Sequence, residues 1–261
     1  SGPCKAFQTF RRSCILCLMG CQYVTQAQRL METGHNLLTR EAYPKAETLF
    51  RLALEQEYLP EAEHGLGLAL LKQDKLDQAL QHLEAVAIAS PNVALAQVDY
   101  ALALRSAGRH HQALELLRQT VIRTPEHWQV WNALGLALAE SGDPQGAEDS
   151  LRRAIVCNPS QSFPLFDLGK LLRDQGRLAE AEKALKEAIR LDPDERWPHF
   201  DLGKMLRDQG RLSEAEAAFL ETIRLAPEVD WPYFDLGMLY CKQERFTEAE
   251  APMRVALERL E

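Results

Sequence analysis

The sequence predicts an all-α solenoid of about seven helix-turn-helix repeats, and three regularities support that prediction. Glycines recur 34 residues apart, an alanine follows each of them after twelve residues, and a proline closes most of the units. The glycines in strict register are Gly135, Gly169, Gly203 and Gly237. Because one helical hairpin is too small to bury its own apolar face, neighbouring units have to stack. The register places the starts of the units near residues 27, 60, 94, 128, 162, 196 and 230.

Each unit contains two predicted helices. In the fifth unit, Leu168 and Leu172 belong to an apolar stripe with helical spacing, and a second stripe runs through residues 178–188. Gly176 separates the two stripes and suits the end of a helix, because glycine adopts the left-handed backbone conformation at little cost. Pro193 then closes the unit, and no period-two alternation that would indicate a β-strand competes with this pattern.

Composition and charge exclude several classes of function. The chain has 261 residues, a net charge of −8 and 46% hydrophobic residues, which are typical of a soluble globular protein. An acidic protein lacks the basic surface of a nucleic-acid-binding protein. No apolar run approaches the roughly 20 residues that a membrane-spanning helix requires. We therefore expect no nucleic-acid partner and no membrane span, and clustered cysteines without a secretory context favour a cytoplasmic location.

Residues 1–26 differ in composition from residues 27–261, and the sequence predicts an N-terminal segment followed by a repeat domain with these bounds. The segment is cationic, and residues 1–31 contain no acidic residue. It also holds four of the six cysteines of the chain, Cys4, Cys14, Cys17 and Cys21. Since cysteine packs as a small apolar residue, we expect a helical or extended segment that covers apolar surface or mediates self-association.

This segment has two other interpretations. Residues 18–21, Leu-Met-Gly-Cys, resemble a bacterial lipobox, which would make the protein a membrane-anchored lipoprotein through Cys21 and an assembly factor at a bacterial membrane. Three of the cysteines lie at helical spacing and, together with Cys4, could bind zinc or a cluster, but the second C-x₂-C pair that zinc sites use is missing. We therefore predict no metal site.

The repeat resembles the tetratricopeptide repeat (TPR) family. In the fourth unit the matching residues are Trp131, Leu134, Gly135, Leu138, Ala147, Leu151, Ala154 and Pro159. The resemblance covers about residues 27–261, with local departures such as Ala101 in place of a glycine. It implies a right-handed TPR superhelix, in which one face of every first helix lines a concave groove that binds extended peptides or partner helices.

A second set of residues repeats on the first helices although core packing does not require it. In the fifth unit Phe163, Phe166, Lys170 and Arg173 share a helix face about 120° from the leucine stripe. The sixth unit repeats this pattern, and the seventh keeps its aromatic residues and its aspartate. The predicted partner-binding residues of the groove are Phe163, Phe166, Asp167, Lys170, Arg173, Trp197, Phe200, Asp201, Lys204, Arg207, Trp231, Phe234 and Asp235.

These side chains predict the chemistry of the partner. Aromatic rings bury large apolar areas, and arginine binds carboxylates through two parallel hydrogen bonds. The expected partner is therefore a protein or peptide segment with acidic and apolar residues. The second and third units place His64, Leu68, Val98 and Leu102 on the same face, so the groove is expected to change from apolar to charged along its length.

An aspartate precedes the Leu-Gly pair, or the two residues in its place, in several units, and its role stays open between two interpretations. The column comprises Asp99, Asp167, Asp201 and Asp235. By resemblance to the TPR domain of the O-GlcNAc-transferring enzyme, where the comparable column is asparagine, these carboxylates would accept hydrogen bonds from a bound peptide backbone. Alternatively, Asp167 and Asp201 pair with nearby arginine or lysine residues. The lysine column also loosely resembles the carboxylate clamp of co-chaperone TPR domains, but the asparagine of that clamp is missing.

No motif indicates catalysis or a cofactor. The glycines at 65 and 67 lie inside a helical pattern with no preceding strand, so they do not form a nucleotide-binding loop. We therefore predict a protein–protein interaction scaffold, with no enzymatic activity and no cofactor. One alternative is a substrate-recruiting arm of a larger enzyme, because the last unit ends at Glu261 without the polar capping helix that usually closes a TPR array. This uncapped end is also a candidate surface for self-association.

Overall fold

The computed structural model describes residues 25–259, and within that range the predicted all-α solenoid of paired helices is confirmed. The helices are α1 (Gln26–Thr39), α2 (Tyr43–Gln56), α3 (Pro60–Leu71), α4 (Leu76–Ala89), α5 (Ala94–Ser106), α6 (His110–Arg123), α7 (Trp128–Glu140), α8 (Pro144–Cys157), α9 (Phe163–Asp174), α10 (Leu178–Leu191), α11 (Arg196–Asp208), α12 (Leu212–Leu225), α13 (Trp231–Lys242) and α14 (Phe246–Glu258). The first helix of every pair begins within one residue of the start predicted for its repeat. None of these described helices has the length and apolar character needed to cross a bilayer. The interpretations of the N-terminal segment, including those for Cys21, concern residues outside the described range.

The described helices fall into two compact units, one with α1–α4 and one with α5–α14. Within each unit the two helices of a repeat pack against one another. The second helix of a repeat also packs against the first helix of the following repeat of that unit. This alternation buries the apolar stripes that a single hairpin leaves exposed. The single repeat domain expected over residues 27–261 stays a prediction.

The two helices of a repeat are in tight contact at the glycine of the 34-residue register. A Cβ atom on Gly169 would lie 2.8 Å from Cγ of Leu185, and one on Gly34 would lie 2.8 Å from Cε1 of Phe50. Both distances are too short for two carbon atoms, so a side chain there would force the helices apart. In both repeats the large side chain comes 16 residues after the glycine.

The turn between the two helices of a repeat requires a left-handed backbone conformation. Gly108, Gly142, Gly176 and Gly210 have φ angles between 73° and 81°. The prediction that Gly176 ends the first helix of the fifth repeat is confirmed, because α9 stops at Asp174. The seventh repeat has Glu244 at this position, with a φ angle of 58°. A residue with a Cβ atom is strained in this region by roughly 1–2 kcal/mol.

An arginine at the start of the second helix links consecutive second helices in the last three repeats. Arg177 forms an ion pair with Glu148 of the preceding repeat and a second one with Glu180 of its own helix. The same arrangement recurs as Arg211 with Glu182 and Glu214, and as Arg245 with Glu216 and Glu248. Glu148 is only 5% exposed, and the hydrogen bond from Arg177 holds its pKa below the ordinary value of 4.5 although burial opposes this shift.

Replacing Glu244 by glycine is expected to raise the free energy of unfolding by about 1 kcal/mol, because glycine adopts the left-handed conformation without a Cβ clash. Glu244 is exposed, so the substitution removes little packing. Urea unfolding followed by circular dichroism measures the change. Glu244→Ala is the matched control, since it removes the carboxylate and keeps the Cβ atom. An equal gain from both variants would contradict the conformational explanation.

Replacing Glu148 by glutamine is expected to lower the free energy of unfolding by about 2 kcal/mol at neutral pH, because Arg177 and Arg152 lose a buried carboxylate. The folded state holds the pKa of Glu148 below 4.5, so this stabilisation is complete above that pH and is lost as the pH falls through the folded-state pKa. The difference between the two proteins should therefore shrink below about pH 4.5. Exposed Glu250 supplies the control, and Glu250→Gln should show no comparable difference at any pH.

Candidate functional site

The first helices of the second unit lie side by side and form one continuous surface. Each of α5, α7, α9 and α11 contacts the first helix of the next repeat. Residues that are 34 positions apart in the sequence therefore come next to each other in space. We call this surface, formed by α5, α7, α9, α11 and α13, the first-helix surface, and all the predicted partner-binding residues lie on its last three helices.

The aromatic residues predicted for the site are divided between exposed and packed positions. Phe163, Trp197 and Phe234 are 48%, 40% and 52% exposed. Phe166 and Phe200 are partly buried against the core of the unit. The rings of Trp197 and Trp231 stack with centroids 5.0 Å apart, and the rings of Phe200 and Trp231 pack edge to face with centroids 4.1 Å apart. The aromatic row thus contributes to packing between the sixth and seventh repeats and also presents rings to solvent.

An open cleft of about 450 Å³ lies between α9 and α11. The structure brings seven of the predicted residues together there. They are Phe166, Lys170, Arg173, Trp197, Phe200, Asp201 and Lys204. We call this the charged cleft. Arg207, Trp231, Phe234 and Asp235 lie farther along the first-helix surface, on α11 and α13.

The arginines and aspartates of the predicted site bind each other across consecutive repeats. Arg173 Nη1 donates to Asp201 Oδ1 at 2.6 Å, and Arg207 makes the equivalent ion pair with Asp235. Asp201 is only 8% exposed. These contacts correspond to the interpretation in which the aspartates pair with nearby arginines and stabilise the repeat. Burial disfavours the charged form of Arg173, but the coulombic attraction of Asp201 and its hydrogen bond outweigh that effect and raise the pKa of the guanidinium.

The two lysines of the charged cleft lie beside aromatic rings, whereas these arginines pair with aspartates. The Nζ atom of Lys170 lies 5.3 Å from the centroid of the Phe166 ring, and Nζ of Lys204 lies 5.3 Å from that of Phe200. Such positions are typical of cation–π attraction. Among residues 25–259, no carboxylate forms an ion pair with either lysine. Both ammonium groups of the cleft thus lie beside aromatic rings, and the charge of Lys170 also attracts the Asp167 carboxylate.

A second open cleft, of about 340 Å³, lies on the other side of α9. Its wall is formed by α5, α7 and α9, with a contribution from α6. The lining residues are Val98, Ala101, Leu102, Arg105, Leu117, Trp128, Gln129, Asn132, Ala133, Leu136, Phe163 and Asp167. We call this the apolar cleft. Phe163 and Asp167 of the predicted site thus lie apart from the charged cleft.

Sequence reasoning missed several residues of the apolar cleft, and three of them follow the register of the predicted site. Gln129, Asn132 and Leu136 occupy in the fourth repeat the positions that Phe163, Phe166 and Lys170 occupy in the fifth. Subtracting 34 from each predicted residue identifies them. They escaped notice because their side chains break the aromatic and cationic pattern that made the fifth and sixth repeats conspicuous.

Asp167 lies in a different environment from Asp201 and Asp235, which are paired with arginines. The position that Arg173 occupies in the fifth repeat is Ala139 in the fourth, so the arginine that would reach Asp167 is missing. Asp167 accepts a hydrogen bond from Asn132 at 2.9 Å instead. Burial raises the pKa of Asp167, and the hydrogen bond from Asn132 opposes that shift. Arg105, which also lines the apolar cleft, donates from Nε to Glu140 at 2.9 Å.

The described part of the chain holds no group of three or more histidine, cysteine, aspartate or glutamate side chains arranged to bind a metal ion.

Replacing Arg207 by alanine is expected to lower the free energy of unfolding by about 2 kcal/mol, because Asp235 then remains partly buried without its cation. Replacing Lys204, its neighbour on α11, should change stability by no more than about 0.5 kcal/mol. Urea unfolding of the two single variants measures both values. Equal losses from Arg207→Ala and Lys204→Ala would show that the lysine is also a structural residue.

The repeats match the description tetratricopeptide repeat over residues 31–94, 64–125, 98–162 and 166–230, with a further match over residues 235–261. No curated protein sequence matches the chain. Among solved structures, a thermophilic TPR protein of Thermus thermophilus is 24% identical, with a TM-score of 0.63 over 69% of this chain and 98% of that chain. PilF of Pseudomonas aeruginosa is 18% identical, with a TM-score of 0.61 over 77% and 92% of the two chains.

A chain of the APC/C hetero-tetramer Cut9-Hcn1 is 16% identical, with a TM-score of 0.66 over 90% of this chain and 43% of that one. At these identities the solved structures support the fold alone. The repeat matches, by contrast, extend over most of the sequence. The chain therefore belongs to the tetratricopeptide repeat family.

Proposed function

We propose that this protein is an interaction scaffold that binds an extended segment of a partner protein, with acidic and apolar residues, on its first-helix surface. The TPR fold is typical of such scaffolds. One similar solved structure comes from a hetero-tetramer, so a related fold assembles with other proteins there. The proposal goes further by assigning the acidic part of the segment to the charged cleft.

The observation that carries the proposal is the environment of the Lys170 and Lys204 ammonium groups. Each ammonium group is held beside a ring, lines an open cleft and lacks a carboxylate partner among the described residues. An acidic side chain of a bound segment would supply that partner. Because the rings of Phe166 and Phe200 exclude water from one side, such a pair gains more than a fully solvated one.

The paired arginines have a supporting role in this proposal. Arg173 joins α9 to Asp201 on α11, and this ion pair sets the spacing of the two helices that carry the lysines. The two ammonium groups are therefore positioned before a partner arrives, which reduces the entropy lost on binding. Trp197, which lines the same cleft and is 40% exposed, offers an apolar contact beside them.

Selection of random peptides of about twelve residues on the intact protein tests the proposal. We expect enrichment of aspartate or glutamate together with apolar residues, and affinities that fall as salt increases. The double variant Lys170→Ala, Lys204→Ala should bind the enriched peptides at least about tenfold more weakly. Its stability should be close to that of the parent, because neither lysine is paired in the described residues.

The matched control changes two exposed lysines that lie off the first-helix surface, as Lys45→Ala with Lys183→Ala. It alters the net charge by the same amount, so it separates a specific cleft from general electrostatic attraction. Enrichment of acidic peptides that survives equally in both double variants would refute the charged cleft as the binding site. Absence of acidic residues from the peptides selected on the parent protein would refute the proposal itself.

A further inference from the structure

We infer that the apolar cleft is a second subsite for the same extended segment, where a bulky apolar side chain enters and the adjoining backbone N–H groups bind Gln129 and Asn132. This inference rests on the proposed function. It predicts a bipartite motif in which one apolar residue stands at a fixed distance from an acidic residue.

The walls of the apolar cleft suit a side chain without charge. Leu102, on α5, is 40% exposed and Phe163, on α9, is 48% exposed, and both line the cleft with Leu136 on α7. Its volume of about 340 Å³ is at the lower end of the range of roughly 300–1,000 Å³ found for ligand pockets. One large apolar residue with its flanking backbone fits this size better than a cofactor does.

Two residues that line the cleft carry side-chain acceptors without hydrogen-bond donors. Oε1 of Gln129 and Oδ1 of Asn132 are buried and have no hydrogen-bond partner in residues 25–259. The amide nitrogen of Asn132 already donates to Asp167, which fixes the oxygen as the free end of this side chain. Buried acceptors without donors are costly, so a ligand that supplies N–H groups gains affinity by satisfying them.

Charge separates the two clefts. The polar groups that line the apolar cleft are the amides of Gln129 and Asn132, the indole N–H of Trp128, the Asp167 carboxylate and Arg105, and Arg105 is already bound to Glu140. An acidic side chain would therefore be repelled by Asp167 and would find no free cation. The charged cleft, by contrast, offers Lys170 and Lys204. The acidic residue of a segment and its apolar residue are thus directed to different sides of α9.

The geometry of α9 sets the spacing of the motif. Phe163 and Asp167 line the apolar cleft, whereas Phe166 and Lys170, on the same helix, line the charged cleft. The two clefts are separated by about one helix spacing, roughly 8–10 Å. An extended chain advances about 3.3–3.6 Å per residue. The apolar residue should therefore lie about three residues from the acidic residue.

The experiment compares peptide selections on four proteins, using the same library of about twelve random residues. Leu102→Trp fills the mouth of the apolar cleft from an exposed position, so the fold should tolerate it. Val156→Trp places the same ring on α8, at a side chain that is 66% exposed and outside both clefts, and is its matched control. Lys170→Ala with Lys204→Ala removes the charged cleft, and the parent protein is the reference.

The expected result is a reciprocal loss. Peptides selected on Leu102→Trp should keep the acidic residue and lose the apolar residue at its fixed offset, while Val156→Trp should select the parent motif. The lysine variant should lose the acidic residue and keep the apolar one. Two results would overturn the second subsite and leave the proposed function intact. In the first, peptides selected on the parent protein contain an acidic residue but no apolar residue at a constant offset from it. In the second, peptides selected on Leu102→Trp keep the apolar residue at that offset. If the peptides selected on the parent protein contain no acidic residue, the proposed function is overturned.

A synthetic peptide with the selected motif tests the hydrogen bonds. Methylating the backbone nitrogen of its apolar residue should weaken binding to the parent protein about tenfold, because the donor for the buried acceptors is removed. Gln129→Leu keeps roughly the volume of the side chain and removes its oxygen. Methylating the peptide should therefore weaken its binding to this variant clearly less than its binding to the parent protein. Equal effects on both proteins would overturn the assignment of the N–H groups to Gln129.

Discussion

The contact between a glycine of the first helix and a large side chain 16 residues later is the constraint on which the rest of the structure depends. It brings the two helices of a repeat close together at one point and so fixes how each hairpin is built. Identical hairpins can then stack with the same geometry. Stacking places residues that are 34 positions apart next to one another. Both the ion pairs between repeats and the first-helix surface result from this arrangement.

Arginine and lysine have different roles on that surface because their partners differ. Arg173 and Arg207 reach the aspartate of the next repeat and hold consecutive first helices together. Arg177 and Arg211 hold consecutive second helices together in the same way. Lys170 and Lys204 lie over aromatic rings instead, without a carboxylate partner in the described residues. A structure stabilised by its arginines can therefore present its lysines to a partner.

The candidate site was predictable in part. Helical spacing identified the shared face of Phe166 and Lys170, since residues on one face of a helix follow from its period alone. Spacing could not show that Arg173 is bound to Asp201, because that contact depends on the distance between two helices and on the rotamers of both side chains. It also could not show the apolar cleft, whose Gln129 and Asn132 share a register with the aromatic residues and none of their chemistry.

The sequence by itself determined the fold class, the number of repeats and the starts of their first helices, because these features are periodic and each period carries the same local signals. It also determined the left-handed turn at Gly176. Only the tertiary structure decided which charged residues are satisfied internally and which remain available. That outcome depends on the neighbour one repeat away: Asp201 meets an arginine, whereas Asp167 meets the amide of Asn132. Contacts between helices follow from the stacked geometry, which no single helix encodes.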